Sequence, residues 1–246
     1  MKSFFALVLS VSFAFAMAVR AAEPIVLSPA EGAKEGKELV ARMTSLRPER
    51  NTASTGTLVV KQSRTQEISI PVRFEVKVSD DSWLSTYEAP GLTNGISTLV
   101  ILRKDTESAR VEVVGNENKR TLSGNETMTP FAGTDFWVAD LSLEFLSWPQ
   151  QRVLRKEIRR SQSCSVLEST NPNPARGAYA RVVSWVDIDT GGIINAEAYG
   201  TDGKRMKEFV AQKFKKVHGQ WEVKQIEMND RRTGSRTTLI FDLGQQ

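Results

Sequence analysis

From Ile68 to Val78 apolar and polar residues alternate without a break. Ile68, Ile70, Val72, Phe74, Val76 and Val78 are separated by Ser69, Pro71, Arg73, Glu75 and Lys77. Successive side chains of an extended strand point to opposite faces, so this stretch predicts a strand with one dry and one wet face. The pattern has period two and does not fit a helix, whose period is 3.6. Such a strand needs partners on both edges and an apolar layer over its dry face.

Both are predicted nearby. Short strands follow at Trp83 to Tyr87, Ser97 to Leu102 and Arg110 to Val114, with Gly, Asn and Asp clusters between them, which is the pattern of an antiparallel meander. Upstream, Ser28-Pro29-Ala30-Glu31 places Ser at a helix N-cap, Pro in the first turn and Glu where it closes a capping box. Leu39, Val40, Met43 and Leu46 then recur at helical spacing, and Pro48 ends the pattern. This amphipathic helix is the expected cover.

Further along, Pro130 to Phe136 interrupts the strands. Asp140 is expected to cap a short helix carrying Leu141, Leu143, Phe145 and Leu146, stopped by Pro149. Strands resume at Val153 to Glu168, Tyr179 to Asp189 and Ile193 to Thr201, with Thr190-Gly191-Gly192 as a hairpin turn and Asp202-Gly203 as the next. Glu208 to Val217, Glu222 to Met228 and Thr237 to Leu243 complete the series. No internal repeat and no Pro-, Gly- or Ser-rich linker divides the chain, so residues 23–246 are expected to form one domain.

The first residues read as a cleavable secretory leader. Lys2 precedes an apolar stretch from Phe4 to Val19, too short for a bilayer span of about 20 residues, and cleavage is expected after Ala21 or Ala22. No cysteine follows that point, because Cys164 is the only one in the chain, so the product is expected to be free of a lipid anchor, soluble and exported. Removing residues 1–22 takes away Lys2 and Arg20 and no acid, so the formal charge falls from +4 to +2. A nearly neutral exported chain is not expected to bind nucleic acid.

Catalytic chemistry is thinly represented. His218, the one histidine, sits beside Gly219 at a hairpin, where a solvated side chain is the expectation, and no second candidate base stands for a Ser-His-Asp or Cys-His site. Cys164 has no neighbouring Lys or His and reads as a buried structural thiol. One His and one Cys cannot build a transition-metal cluster, so no metal or cofactor is expected. Asp187 and Asp189 share a strand face, but before a Gly-Gly turn they are expected to cap backbone amides. The basic runs Arg152, Arg155, Lys156, Arg159, Arg160 and Lys213, Lys215, Lys216 are expected to be solvated faces, with anionic lipid or glycan as the other reading.

Gly133-Thr134-Asp135-Phe136 followed by Ala139-Asp140-Leu141 is similar to a Gly-Ser/Thr-Asp-Phe-x-Tyr-x-Asp-Leu stretch of the LolA-like outer-membrane lipoprotein-sorting proteins, with Val138 in place of the tyrosine. The order of elements resembles that family too, as do Val186-Asp187-Ile188-Asp189 and Ala198-Tyr199-Gly200-Thr201-Asp202-Gly203. The resemblance implies an incomplete antiparallel β-barrel with helices over an apolar cavity. Its implied work is non-catalytic: taking up acyl chains of lipoproteins or lipids in the periplasm, from an inner-membrane donor to an outer-membrane acceptor. An acyl chain gains about 0.8 kcal/mol per buried CH₂, so burial alone supplies affinity. Val72, Phe74, Val76, Leu99, Ile101 and Trp185, from apolar strand faces, are the expected cavity lining. Two alternatives stand beside the carrier: an envelope sensor using the same fold, and a hydrolase resting on His218 and the Asp187/Asp189 pair.

Overall fold

The structure is a computed structural model that describes residues 23–62, 66–90, 95–104, 107–115, 118–217 and 220–243. The predicted leader and His218 lie outside the described residues.

Ser28 opens helix α1 (Pro29–Ser45) through the expected capping box: the Glu31 N–H donates to Ser28 Oγ at 3.4 Å. The Glu31 carboxylate accepts from the Ser28 hydroxyl at 2.6 Å and from its N–H at 3.2 Å. These bonds hold the Glu31 carboxyl below its usual range. Ahead of the helix lies strand β1 (Ile25–Val26). After it come β2 (Thr52–Lys61), β3 (Glu67–Val78), β4 (Ser82–Glu88), β5 (Thr98–Lys104), β6 (Glu107–Gly115) and β7 (Asn118–Leu122). A non-strand segment, 123–149, contains helix α2 (Val138–Ser142) and two 3-10 turns, Gly124–Thr127 and Glu144–Ser147. Then follow β8 (Gln150–Arg159), β9 (Gln162–Thr170), β10 (Arg181–Asp187), β11 (Ile193–Tyr199), β12 (Arg205–Val217), β13 (Gln220–Asp230) and β14 (Arg236–Phe241).

Among the described residues all fourteen strands belong to one sheet in the order β1-β8-β9-β10-β11-β12-β13-β14-β2-β3-β4-β5-β6-β7. Every pairing between these strands is antiparallel, and β1 and β7 are edges, so the barrel is incomplete. Pro71 stands inside β3 opposite Thr57 of β2, and on its other side it lies before the β4 ladder, which spans only Arg73 to Val78.

Helix α1 lies on β8, the strand next to the short edge strand β1, through its small residues. A Cβ on Gly32 would fall 2.4 Å from the Val153 carbonyl oxygen, and one on Gly36 would fall 2.6 Å from Gln151 backbone atoms. Leu39 is buried, and Val40 and Met43 pack on the same cluster. Leu46, expected in the helical stripe, is the C-cap and is 54% exposed.

Segment 123–149 lies in the concave side of the sheet. Phe131, Phe136 and Val138 enter a core with Leu58, Val72, Leu99, Ile101 and Val113; Trp137, Phe145, Leu146 and Trp148 enter a second with Leu39, Val153, Leu167 and Val182. The helix here begins earlier than the sequence suggests. Trp137 is the N-cap, and Asp140, in the first turn, accepts the Trp137 N–H at 2.8 Å. A carboxylate three residues into a helix satisfies an orphan amide as well as one at the cap itself. Leu143 adopts φ 56°, so α2 ends after one turn, and Leu143, Phe145 and Leu146 lie beyond it.

The stretch Val153 to Glu168 is a hairpin rather than one strand. It turns at Arg160 and Ser161, both at positive φ (52° and 64°), in the conformation that a tight hairpin needs and glycine normally supplies.

Candidate functional site

The second half of the concave face keeps a cavity of about 60 Å³. Its walls are Val182, Ala196, Ala198, Phe209 and Met228 of β10 to β13, and Leu143 and Phe145 close it from above. The void exists because the register sets small against large: Ala196 faces Phe209 across β11 and β12, and Ala198 faces Lys207. Ile193, the first residue of β11, and the one-third-exposed Leu143 form its rim. A drug-sized ligand fills about 300–1,000 Å³, so this void admits an acyl chain only if its cover moves.

The inner end of the cavity is polar. Lys207 is 1% exposed; its ammonium donates to the Asp135 carbonyl oxygen at 2.6 Å and stands 3.6 Å from Asp140 Oδ2. It also lies 3.7 Å above the Trp137 ring, which stacks on Tyr179 with centroids 4.8 Å apart. The Tyr179 hydroxyl donates to Asp140 Oδ1 at 3.0 Å. Arg232, ion-paired to Asp230 at 2.6 Å, covers Trp137 at 4.8 Å.

Burial dominates the ionisation of this group. It lowers the Lys207 ammonium to about 8 against the opposing pull of Asp140 and Asp230. It also raises the Asp140 carboxyl, opposed by Lys207, and pushes the Tyr179 phenol well above its usual value, helped by Asp140. Ser142, whose carbonyl accepts from Arg103 Nη2 at 2.9 Å, ties the end of α2 to β5.

The Gly-Thr-Asp-Phe stretch pins this arrangement. Gly133 sits at φ 66° in a turn, and Thr134 Oγ1 donates to the Phe131 carbonyl at 2.8 Å and accepts the Phe136 N–H at 3.2 Å. Asp135 accepts from Thr237 Oγ1 at 2.8 Å and Ser235 Oγ at 2.5 Å, fastening the segment to β14 and the turn before it. Phe136 is buried in the first core, and Leu141 packs against it. Asp140 is the member of the motif that reaches the cavity.

Of the residues expected to line a cavity, the structure brings together Val72, Phe74, Leu99 and Ile101. They meet in the first core, against Phe131 and Phe136, with half-buried Val76 next along β3. Trp185 lies elsewhere. It alternates with Val182 and Val186 of the second core and joins Cys164, Val166, Val183 and Ile194 on the convex side, under the Arg159 guanidinium at 4.2 Å. Sequence reasoning missed Lys207, Phe209, Met228, Ala196 and Ala198. A signal was present: Lys207, Phe209 and Ala211 alternate on one face of β12, so Lys207 is a charge on an apolar face.

The other candidates are structurally engaged. Asp187 ends β10 and accepts from Thr190 N–H at 3.2 Å and its hydroxyl at 2.5 Å, whereas Asp189 lies in the exposed turn. Burial raises the Cys164 thiol to about 11. Arg152 and Arg181 share Glu168, Arg155 pairs with Glu157 and Lys156 with Glu35, so the first basic run is largely neutralised. Among the described residues no three His, Cys, Asp or Glu side chains form a cation site. Nor is any helix there long and apolar enough to cross a membrane.

An open antiparallel sheet holding a helix and an inserted segment against its concave side is the LolA-like fold, as the sequence resemblance implies. A family model described as "uncharacterized protein" matches residues 80–243, more than half of the chain, and the chain belongs to that family. Solved structures agree on the fold. A DUF1329 family protein from Desulfovibrio piger is 20% identical with a TM-score of 0.67, covering 87% of this chain and 95% of its own. A domain from Vibrio parahaemolyticus described as an outer membrane lipoprotein-sorting protein is 18% identical with the same TM-score and coverages. A LolA superfamily protein from Nitrosomonas europaea is 19% identical with a TM-score of 0.55, covering 85% and 91%. The curated protein sequences contain no significant match.

Proposed function

We propose that the protein is a non-catalytic periplasmic carrier: residues 1–22 are removed on export, and residues 23–246 form one domain that takes an acyl chain of a lipoprotein or lipid. It would receive that chain at the inner membrane and release it at the outer one. The observation that carries this reading is the apolar cavity between β10 to β13 and residues 143–145. The lipoprotein-sorting description of a protein with the same fold supports it.

Cargo enters in this reading when the one-turn cover gives way. The polar bonds that hold the cover are few: Arg103 to the Ser142 carbonyl, and the buried Gln151 amide to the Phe145 and Trp148 carbonyls at 2.9 and 2.8 Å; Phe145 adds its packing in the second core. Burying ten methylenes gains about 8 kcal/mol, enough to offset loss of those few bonds. Asp140 and Lys207 at the inner end then meet the polar end of the cargo or limit how deep its chain goes.

The test is purification of the processed protein from an exporting host, followed by organic extraction and lipid mass spectrometry, with a fluorescent acyl probe on the emptied protein. Stoichiometric acylated ligand and saturable probe binding are expected. A consistently empty protein that ignores the probe would overturn the carrier reading.

A further inference from the structure

Strands β12 and β13 outrun their neighbours. β11 pairs with β12 only as far as Val210, and β14 pairs with β13 only as far as Gln225. Beyond those points, Phe214 to Val217 and Gln220 to Val223 pair only with each other, with Lys213 and Lys224 at their base, as a two-stranded arm off one end of the sheet. At about 3.3 Å per residue the four free pairs of the arm project about 13 Å. It is pinned at its root, where Arg160 donates to the Ala211 carbonyl and Lys215 Nζ donates to the Leu243 carbonyl at 3.2 Å.

An isolated two-stranded ribbon is marginally stable and gains little by exposing an aromatic side chain. This one holds Phe214 47% exposed, between exposed Lys213 and Lys216. Lys224 is exposed on the opposite strand, and the arm's one acid, Glu222, faces Lys215 across the ladder. Four lysines against one glutamate give the arm a positive charge that the nearly neutral remainder lacks.

The position of the arm adds a second observation. By register, the β8–β9 turn, the β10–β11 turn and the arm share one end of the sheet. That end exposes Ile158 at 60% and Ile188 at 40%, and Leu46 comes within 3.2 Å of where a Cβ on Gly191 would sit. Ile193, on the cavity rim, belongs to this end, whereas Lys207 lies toward the other. Besides Glu222, exposed acids at this end include Asp80, Asp81 and Asp189 on neighbouring turns and Asp242 just after β14.

An exposed aromatic ring on a lysine-rich ribbon, beside exposed aliphatic side chains, matches the boundary between phosphate headgroups and acyl chains. We infer that the β12–β13 arm docks the protein on an anionic phospholipid surface, with Phe214 entering the headgroup layer, Lys213, Lys216 and Lys224 meeting phosphates, and the cavity rim turned toward the bilayer. The purpose of this docking rests on the carrier reading; its chemistry does not.

The test is co-sedimentation of the processed protein with phosphatidylglycerol–phosphatidylcholine vesicles and with phosphatidylcholine vesicles. Binding to the first alone, weakening as salt rises, is expected. Each of Lys213→Gln and Lys216→Gln lowers the partition coefficient about fivefold, and Phe214→Ser lowers it about tenfold. Lys204→Gln, in a turn at the far end, leaves it unchanged. Thermal melting and acyl-probe binding of all variants match the parent, so a failure of docking is distinguishable from a failure of the carrier reading. Equal binding to both vesicle types, no vesicle binding, or unchanged binding by the arm variants would overturn the inference. A dimer dissolved by Phe214→Ser without vesicle binding would assign the arm to a second copy and overturn it too.

Discussion

On the β2-to-β7 side of the concave face, the inserted segment delivers Phe131, Phe136 and Val138, and they meet Val72, Leu99, Ile101 and Val113 with side chains almost wholly buried. On the β10-to-β13 side the same segment delivers Asp140, Leu143 and Phe145, and what they meet is a void, two alanines and a buried ammonium. Close-packed hydrocarbon secures a fold, whereas an unfilled apolar space beside a desolvated charge leaves stability unrealised. We read the first core as holding the sheet together and the second as binding; a more open hollow of about 570 Å³ at the β6–β7 edge, lined by Ile96, Val113, Arg120 and Gly133, lies outside both roles.

The largest expected effect tests the charged half. Asp140→Ala strips Lys207 of its nearest counter-charge and leaves the Trp137 N–H and Tyr179 hydroxyl without their acceptor, and it is expected to lower unfolding free energy by about 3–5 kcal/mol in denaturant titration. Adding Lys207→Met is expected to recover much of that loss; a single-variant cost no larger than that of Asp202→Ala would break the account.

Next, Leu99→Ala in the packed half is expected to cost about 2–5 kcal/mol and leave acyl-probe affinity unchanged where the variant is folded. Weakened probe binding would instead put Leu99, Val72 and Ile101 in the binding site and dissolve the comparison. Gly36→Ala, whose Cβ meets Gln151 backbone, is expected to cost about 1–3 kcal/mol, reduced by roughly 1 kcal/mol of gained helix propensity. Its melting temperature reads the docking of α1 on β8.

The pH response of Lys207 sharpens the contrast further. Its folded value, about 8, lies below that of an unfolded lysine. Between the two the unfolded chain binds more protons, so this group adds stability as pH rises through 8, by up to about 1.4 kcal/mol per pH unit. Denaturant titrations from pH 7 to 9.5 are expected to show the parent gaining on Lys207→Met. A constant difference would place the ammonium in a better-solvated site. The smallest effect on stability is expected from Ala196→Leu, which fills the void at a cost within about 1 kcal/mol while abolishing acyl-probe binding.

Legibility in the sequence followed the range of the interactions. Strand β3 was legible because every second residue is apolar, and α1 because Ser28 and Glu31 bond to each other. Strand β7 was not: Asn118 to Thr121 show no apolar alternation, and the strand exists through its ladder with β6. The β8–β9 turn escaped because Arg160 and Ser161 take a glycine-like conformation that the pairing of the two strands imposes. The candidate site was legible in part, through Asp140 of the Gly-Thr-Asp-Phe region, but its partner Lys207 lies far along the chain, and its place on an apolar strand face does not say which carboxylate it meets.

By itself, the sequence determined the antiparallel character of the sheet, the start of its covering helix and the resemblance that named the fold, since these depend on neighbours a few residues apart. Only the tertiary structure decided that β14 closes on β2, that β1 and α1 cover β8, and that one lysine is buried at the end of a cavity. Those outcomes arise from register and desolvation between distant segments, and a local pattern carries no record of which distant carboxylate will stand beside a buried ammonium.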